Sequence, residues 1–189
     1  MKSSKRNDEG FTGLEAAIVL IAFVVVAAVF SYVVLGAGFF TTQKAQETVY
    51  KGVEQSTTNI QTIGTVYGLS ESTPPKNITV IKFSIGLAPG APAIDLTKMK
   101  IVFSTPESTT PAILNYGTTA DVKNFTAKIG TETQTALDPN EQVEISFKTE
   151  EWQVPPNMKM IFEIRPSVGA ALPFTKTAPA TISRTNALY

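Results

Sequence analysis

FTGLEAAIVLIAFVVVAAVFSYVVLGAGFF, residues 11–40, contains no charged residue from Ala16 to Phe40. A run of that length spans a bilayer as one helix. It is apolar on every side, whereas the surface helix of a soluble domain needs a polar face. One acid, Glu15, stands at its edge, and a short leader, MKSSKRNDEG, precedes it with Lys2, Lys5 and Arg6. The positive-inside rule keeps such a basic arm in the cytoplasm and places the rest of the chain outside. No Ala-x-Ala-like site comes after the run. The cut that fits therefore lies before it, between Gly10 and Phe11, and leaves the helix on the mature chain. The plainer alternative is an uncleaved signal anchor.

Toward the C-terminus no proline occurs before Pro74, so the helical pattern continues past the apolar run. Ala45, Val49, Val53, Ile60, Ile63 and Tyr67 recur at steps of three and four, with a polar gap at Ser56, while Lys44, Glu47, Lys51 and Glu54 fall off that stripe. The spacing predicts a helix from about Thr12 to about Gly64, apolar all round at first and one-sided later. The one-sided half is expected to pack on a domain or on sister helices. Gly36 and Gly38 each cost about 1 kcal/mol inside a helix relative to alanine. They mark a close approach, a bend, or tolerated small residues in an apolar helix.

Ser70–Lys76 (SESTPPK) reads as a linker, and beyond it the period becomes two. Ile81, Phe83 and Ile85 alternate with polar neighbours, as do Met99, Ile101 and Phe103, then Val143, Ile145 and Phe147, then Met158, Met160, Phe162 and Ile164. These are strands with one buried face. Ala112–Tyr116, Val122–Ile129, Ala171–Thr175 and Ala180–Ser183 are weaker candidates. Pro89-Gly90, Asp138-Pro139-Asn140 and Pro155-Pro156-Asn157 supply turns. The expected class is α+β: a long N-terminal hydrophobic helix, then an antiparallel Ig-like β-sandwich of about eight strands. The expected division is a leader at 1–10, a helix at 11–69 and the β-sandwich at 70–189.

Composition removes several function classes. Lys+Arg and Asp+Glu both number 16 in 189 residues, and no basic stripe suggests nucleic acid. Cysteine and histidine are both absent. Disulfides, thiolate chemistry and every His-based catalytic constellation are therefore excluded. Asp138, Asn140 and Glu141 could supply three oxygen ligands to calcium, but a proline-containing hairpin turn explains them better. Glu150-Glu151-Trp152 reads as a solvated corner beside a tryptophan, not a catalytic pair. Neither an enzyme, nor a cofactor, nor a metal site is expected. Two N-glycosylation sequons occur, Asn77-Ile78-Thr79 and Asn124-Phe125-Thr126. Asn124 lies inside a candidate strand and must point outward to be used.

Gly10-Phe11 followed by Glu15 and a long apolar helix resembles the class III signal of the type IV pilin superfamily. Residues 11–49 resemble the N-terminal helix of archaellins, the archaeal flagellins, and LGAGFFTTQKAQE (Leu35–Glu47) is the most specific part. EIRPSVGAALPFTKTAPATI (Glu163–Ile182) resembles the archaellin ending more loosely. The resemblance implies cleavage by a prepilin-type signal peptidase, with Phe11 as the mature N-terminus. It also implies a helical homopolymer through residues 11–64, outside the cell, served by an archaellum motor and its membrane platform.

The residues suit such a life. Before assembly the helix rests in the membrane. Out of it, large apolar side chains would face water at about 1.5–3 kcal/mol each, unless copies bundle into a shared dry core. The leader's charges oppose bundling, because desolvating an unpaired charge costs several kcal/mol. Cleavage at Gly10 then works as a switch. Glu15 is equally expensive in a dry core unless paired. The amine freed at Phe11 lies one helical turn away, on the same chain, and a neighbouring copy could supply it too. An acid in the first turn also favours the helix dipole, and recognition by the processing enzyme is a third role for it. An adhesive archaeal type IV pilin and a single-helix membrane-anchored binding module remain as alternatives.

Overall fold

A computed structural model describes residues 5–149 and 154–189, with side chains from Thr12 onward. The Glu150-Glu151-Trp152 corner and Lys2 lie outside the described residues. The chain divides into two compact units, residues 1–51 and 52–189.

Helix α1 runs unbroken over Lys5–Thr57, 53 residues, straight through Gly36 and Gly38. Away from its ends α1 bonds its backbone groups within the helix, which suits surroundings that offer no water. It stops before the expected Gly64. The Thr58 N–H and hydroxyl both donate to the Glu54 carbonyl, at 2.9 and 2.7 Å, and close the last turn.

Ile60, Ile63 and Tyr67, expected on the helical stripe, belong instead to strand β1 (Ile60–Leu69). The expected boundary at residues 69 and 70 therefore moves toward the N-terminus, since β1 is part of the sheet. Two causes are visible. IQTIGTVYGL is rich in β-branched and aromatic residues, which favour strands. Gly64 has φ 75, which no helix accepts, and the ladder to the next strand shifts register between Ile63 and Tyr67. Between those two positions β1 carries three residues opposite one on its partner, and this irregularity disturbs the period of two and imitates helical spacing.

Strands β2 (Val80–Leu87), β4 (Lys100–Ser104), β9 (Gln142–Lys148) and β10 (Lys159–Arg165) fall where alternation predicts them. So do β5 (Ala112–Tyr116), β6 (Asn124–Ile129) and β11 (Leu172–Thr177). The last strand, β12, is Thr185–Leu188 and not Ala180–Ser183. The preceding loop wraps around Asn186, whose buried amide donates to the Gly68 and Ser183 carbonyls at 3.1 and 2.8 Å. Its side-chain oxygen accepts the Ser183 N–H at 2.7 Å, so the buried group is satisfied. Two-residue strands β3 (Ile94–Asp95) and β8 (Ala136–Leu137) pair with each other, and β7 (Glu132–Thr133) pairs with β6.

The main sheet follows the order β11-β10-β4-β5-β6-β9-β2-β1-β12. Its pairings are antiparallel except β5–β6, which is parallel and joins the two layers. With the two-residue strands included, the strands exceed the expected eight. The layers face each other through aromatic rings. Phe103 and Phe162 of one layer meet Phe147 of the other with ring centroids 5.6 and 6.4 Å apart. At the far margin the outermost strands meet end to end. The Thr177 N–H donates to the Tyr189 carbonyl at 2.8 Å, and the Tyr189 N–H returns the bond at 3.2 Å.

Gly169, in the loop before β11, has φ 102, and a Cβ there would collide with the Thr58 carbonyl oxygen. Gly169→Ala is expected to cost about 1–3 kcal/mol through backbone strain alone. Thermal melting of the detergent-solubilised subunit reads this directly. An unchanged midpoint would mean that the loop moves aside freely.

Candidate assembly surface

Every described side chain from Thr12 to Thr57 is exposed. Phe23 is 74% exposed, Val26 67% and Phe30 68%, where the core phenylalanines of the sheet unit reach nearly zero. Soluble monomers rarely leave more than a few hundred Å² of contiguous apolar surface open. This helix is also long and apolar enough to cross a membrane. Such a surface is covered in use, by lipid or by other chains.

Glu15 lies within it. Thr12, Glu15, Ala16, Val19, Leu20 and Phe23 line one face, so anything that packs on this face also buries the Glu15 carboxylate. Gly10 and Phe11 belong to the same continuous helix. The Phe11 nitrogen stands one turn, about 6 Å along the axis, from residue 15. In the intact chain it is a peptide nitrogen without charge, and only a cut after Gly10 would make it an ammonium. A Cβ at Gly36 or Gly38 would meet nothing within 4 Å. The chain's own packing gives no reason for glycine at either position.

Below the apolar run the helix carries a group that the sequence reading passed over. The Glu47 carboxylate holds Lys44 at 2.8 Å and Lys51 at 2.7 Å. The three- and four-residue spacing was the available signal. Thr41, Thr42 and Thr48 turn their hydroxyls onto the carbonyls of Ala37, Gly38 and Lys44, at 2.8, 2.9 and 2.9 Å.

The sequons sit in ordered backbone. Asn77 is half-buried and precedes Ile78, whose N–H donates to the Val154 carbonyl at 2.9 Å. The Thr79 hydroxyl accepts the Glu71 N–H at 3.0 Å. Asn124 is half-buried at the start of β6, where it pairs with Asn115, and the Thr126 hydroxyl lies 2.8 Å from that of Ser146. Asp138, Asn140 and Glu141 form the expected turn: the Glu141 N–H reaches the Asp138 carbonyl at 3.2 Å and Asn140 has φ 69. Among the described residues no three acidic, histidine or cysteine side chains converge.

A self-contained β unit that carries a bare apolar helix defines a class: the subunit of an assembly that its own fold leaves incomplete. A family model described as archaeal-type flagellin matches residues 10–176. "Probable flagellin 1" of Archaeoglobus fulgidus is 39% identical over 190 residues, which cover 94% of this chain and 93% of the relative. The solved archaeal flagellum of Methanospirillum hungatei strain JF1 matches with TM-score 0.74 and 34% identity, over 93% of this chain and 98% of that one. The crystal structure of archaeal flagellin FlaB1 from Methanocaldococcus jannaschii shares the fold, at TM-score 0.60 and 16% identity, over 69% of this chain and 96% of that one. The chain belongs to the archaeal-type flagellin family. It is a structural subunit of the archaeal flagellum and not an enzyme.

Proposed function

We propose that this flagellin begins as a precursor held in the cytoplasmic membrane by Ala16–Phe40. A prepilin-type signal peptidase cuts it between Gly10 and Phe11. The mature chain then joins an extracellular helical homopolymer whose dry core is built from α1, with the β unit outside. The observation that carries this reading is the full exposure of the apolar helix. Its burial among copies recovers about 1.5–3 kcal/mol for each large side chain, far more than any one contact within the β unit. Motor and membrane platform are partners by family likeness. So is the use of Asn77 and Asn124 as N-glycan acceptors. The flagellin match favours a motility filament over an adhesive pilin or a tethered binding module.

Mass spectrometry of filaments sheared from cells tests the scheme. The expected mature N-terminus is Phe11, with added mass on peptides holding Asn77 or Asn124. A chain that keeps Met1 and stays in the membrane fraction would sink it.

Glu15 is assigned the freed Phe11 ammonium, on its own chain or a neighbour's. Glu15→Gln keeps the shape and removes the charge, leaving a buried ammonium without its partner. Breaking a buried pair in this way costs about 3–5 kcal/mol. The expected result is normal cleavage with filament yield reduced at least a hundredfold, roughly what that energy implies. Normal filaments from the Gln variant would leave Glu15 only its helix-dipole role.

A further inference from the structure

The two sequons share one arrangement. In each, the middle residue belongs to the core: Ile78 is 1% exposed and Phe125 0%. Alternation along an extended chain turns the asparagine and the threonine the other way. Asn77 and Asn124 are accordingly half-buried and not sealed. The threonines, however, are engaged. Thr126 is 2% exposed, and its hydroxyl lies 2.8 Å from that of Ser146 on β9. The Thr79 hydroxyl accepts the Glu71 N–H at 3.0 Å and donates to the Leu69 carbonyl at 3.3 Å. The backbone is engaged too. The Gly117 and Asp121 N–H groups donate to the Phe125 and Asn124 carbonyls, both at 2.9 Å. Ile78 gives its N–H to Val154, and its carbonyl accepts the Thr149 hydroxyl at 2.7 Å. Asn124 also lies hard against Gly117, where a Cβ would come within 2.9 Å of the Asn124 Cβ.

N-glycan transfer joins the asparagine side-chain nitrogen to the anomeric carbon of a sugar carried on a lipid phosphate. The lipid phosphate leaves with the bonding electrons, and the nitrogen gives up a proton. A motif that demands Ser or Thr two residues on means that the enzyme grips that hydroxyl together with the asparagine. In the closed β unit neither tripeptide can be gripped so. Reaching the Thr126 hydroxyl means drawing Phe125 from the core and parting β6 from β9. We infer that both asparagines accept their glycans only while the β unit is still open, so that transfer precedes folding and folding ends it. The inference rests on the reading of Asn77 and Asn124 as acceptors, and it adds the state of the chain that the transferase takes as substrate. The finished fold carries a glycan on an outward asparagine but does not admit the enzyme. Asn124 is the stricter case, because its strand is paired on both sides, with β5 and β9. Asn77 lies on a segment outside the strands, tied through the isolated bridge between Ile78 and Val154.

The full chain, made in a bacterium that lacks a transferase, is unfolded in urea. Membranes from the organism that makes this flagellin supply the transferase and its lipid-linked sugar. The unfolded chain is diluted into them at once, or is first refolded in detergent until its circular dichroism is restored. Peptides of residues 72–84 and 119–131 accompany both, and mass spectrometry follows Asn77 and Asn124. The peptides and the freshly diluted chain should be modified, and the refolded chain at least about a hundredfold more slowly at Asn124. Equal rates at Asn124 in the refolded chain and the peptide overturn the inference. Peptides that stay unmodified overturn the acceptor reading beneath it, which separates the two failures. Phe162→Ala supplies a second handle. It multiplies the open fraction of the unit at least about a hundredfold, so the refolded variant should regain modification at Asn124. A refolded variant as slow as the unchanged chain overturns the requirement for opening.

Discussion

Val26→Lys is expected to abolish filaments. Val26 sits in the uncharged run, 67% exposed in the single chain. In the filament it would be surrounded by apolar side chains on every side. A lysine at the centre of an apolar span costs about 2.5–3.5 kcal/mol even on the mildest scale. Each added subunit bears that cost afresh, and every 1.4 kcal/mol raises the subunit concentration needed for growth about tenfold. The threshold therefore rises roughly 60- to 300-fold on that scale. Electron microscopy of sheared cell-surface material, with immunoblots of the membrane fraction, checks the result. The subunit should remain in cells while filaments vanish. Gln55→Lys is the companion, since residue 55 lies beside Lys44, Lys51 and Glu54 on the helix. It should assemble normally. Wild-type filament numbers from Val26→Lys would mean that the helix is not packed on all sides.

The second large effect belongs to the β unit. Phe162 is fully buried on β10 and touches both layers. Its ring stacks on Phe174, with centroids 4.9 Å apart and planes inclined by 9°. It also lies 5.3 Å from Phe103 and 6.3 Å from Phe83. Truncation removes apolar contact from both layers and leaves a cavity that the β ladders on either side resist closing. Phe→Ala at such a site costs about 3–5 kcal/mol. For a unit of this size that is a drop of about 10–15 °C in the melting midpoint. Ile161, the next residue on the same strand, faces outward and is 42% exposed. Ile161→Ala should move the midpoint by no more than a few degrees. Circular dichroism melts of the detergent-solubilised variants separate the two. Comparable shifts would mean that the ring cluster is not what joins the layers.

How far the sequence could be read depended on what each residue's neighbours were. The helix was legible because Ala16–Phe40 carries no charge, a signal that needs no knowledge of the fold. Strands β2, β4, β9 and β10 were legible because each has one buried and one wet face, which writes a period of two. Strand β1 was not, because the register shift near Gly64 disturbs that period. Strand β12 was displaced because Asn186 fixes the loop before it through bonds to Gly68, 118 residues away in sequence. No local pattern carries such a contact. The assembly surface was legible as apolar area. The Lys44–Glu47–Lys51 clasp was signalled only by its three- and four-residue spacing, and the Thr41 and Thr42 hydroxyl bonds depend on rotamers, which composition does not reveal.

The meeting of Thr177 and Tyr189 has a consequence for a crowded polymer. Neighbouring β units in a filament are held at an effective concentration of about millimolar or more. At that density an unpaired strand margin is a template for the next copy's strand, and the two would zip together. Tying the outermost strands to each other at their ends removes backbone groups from that competition. Where β units of neighbouring copies come together, that end of the sheet offers side chains instead of a free ladder.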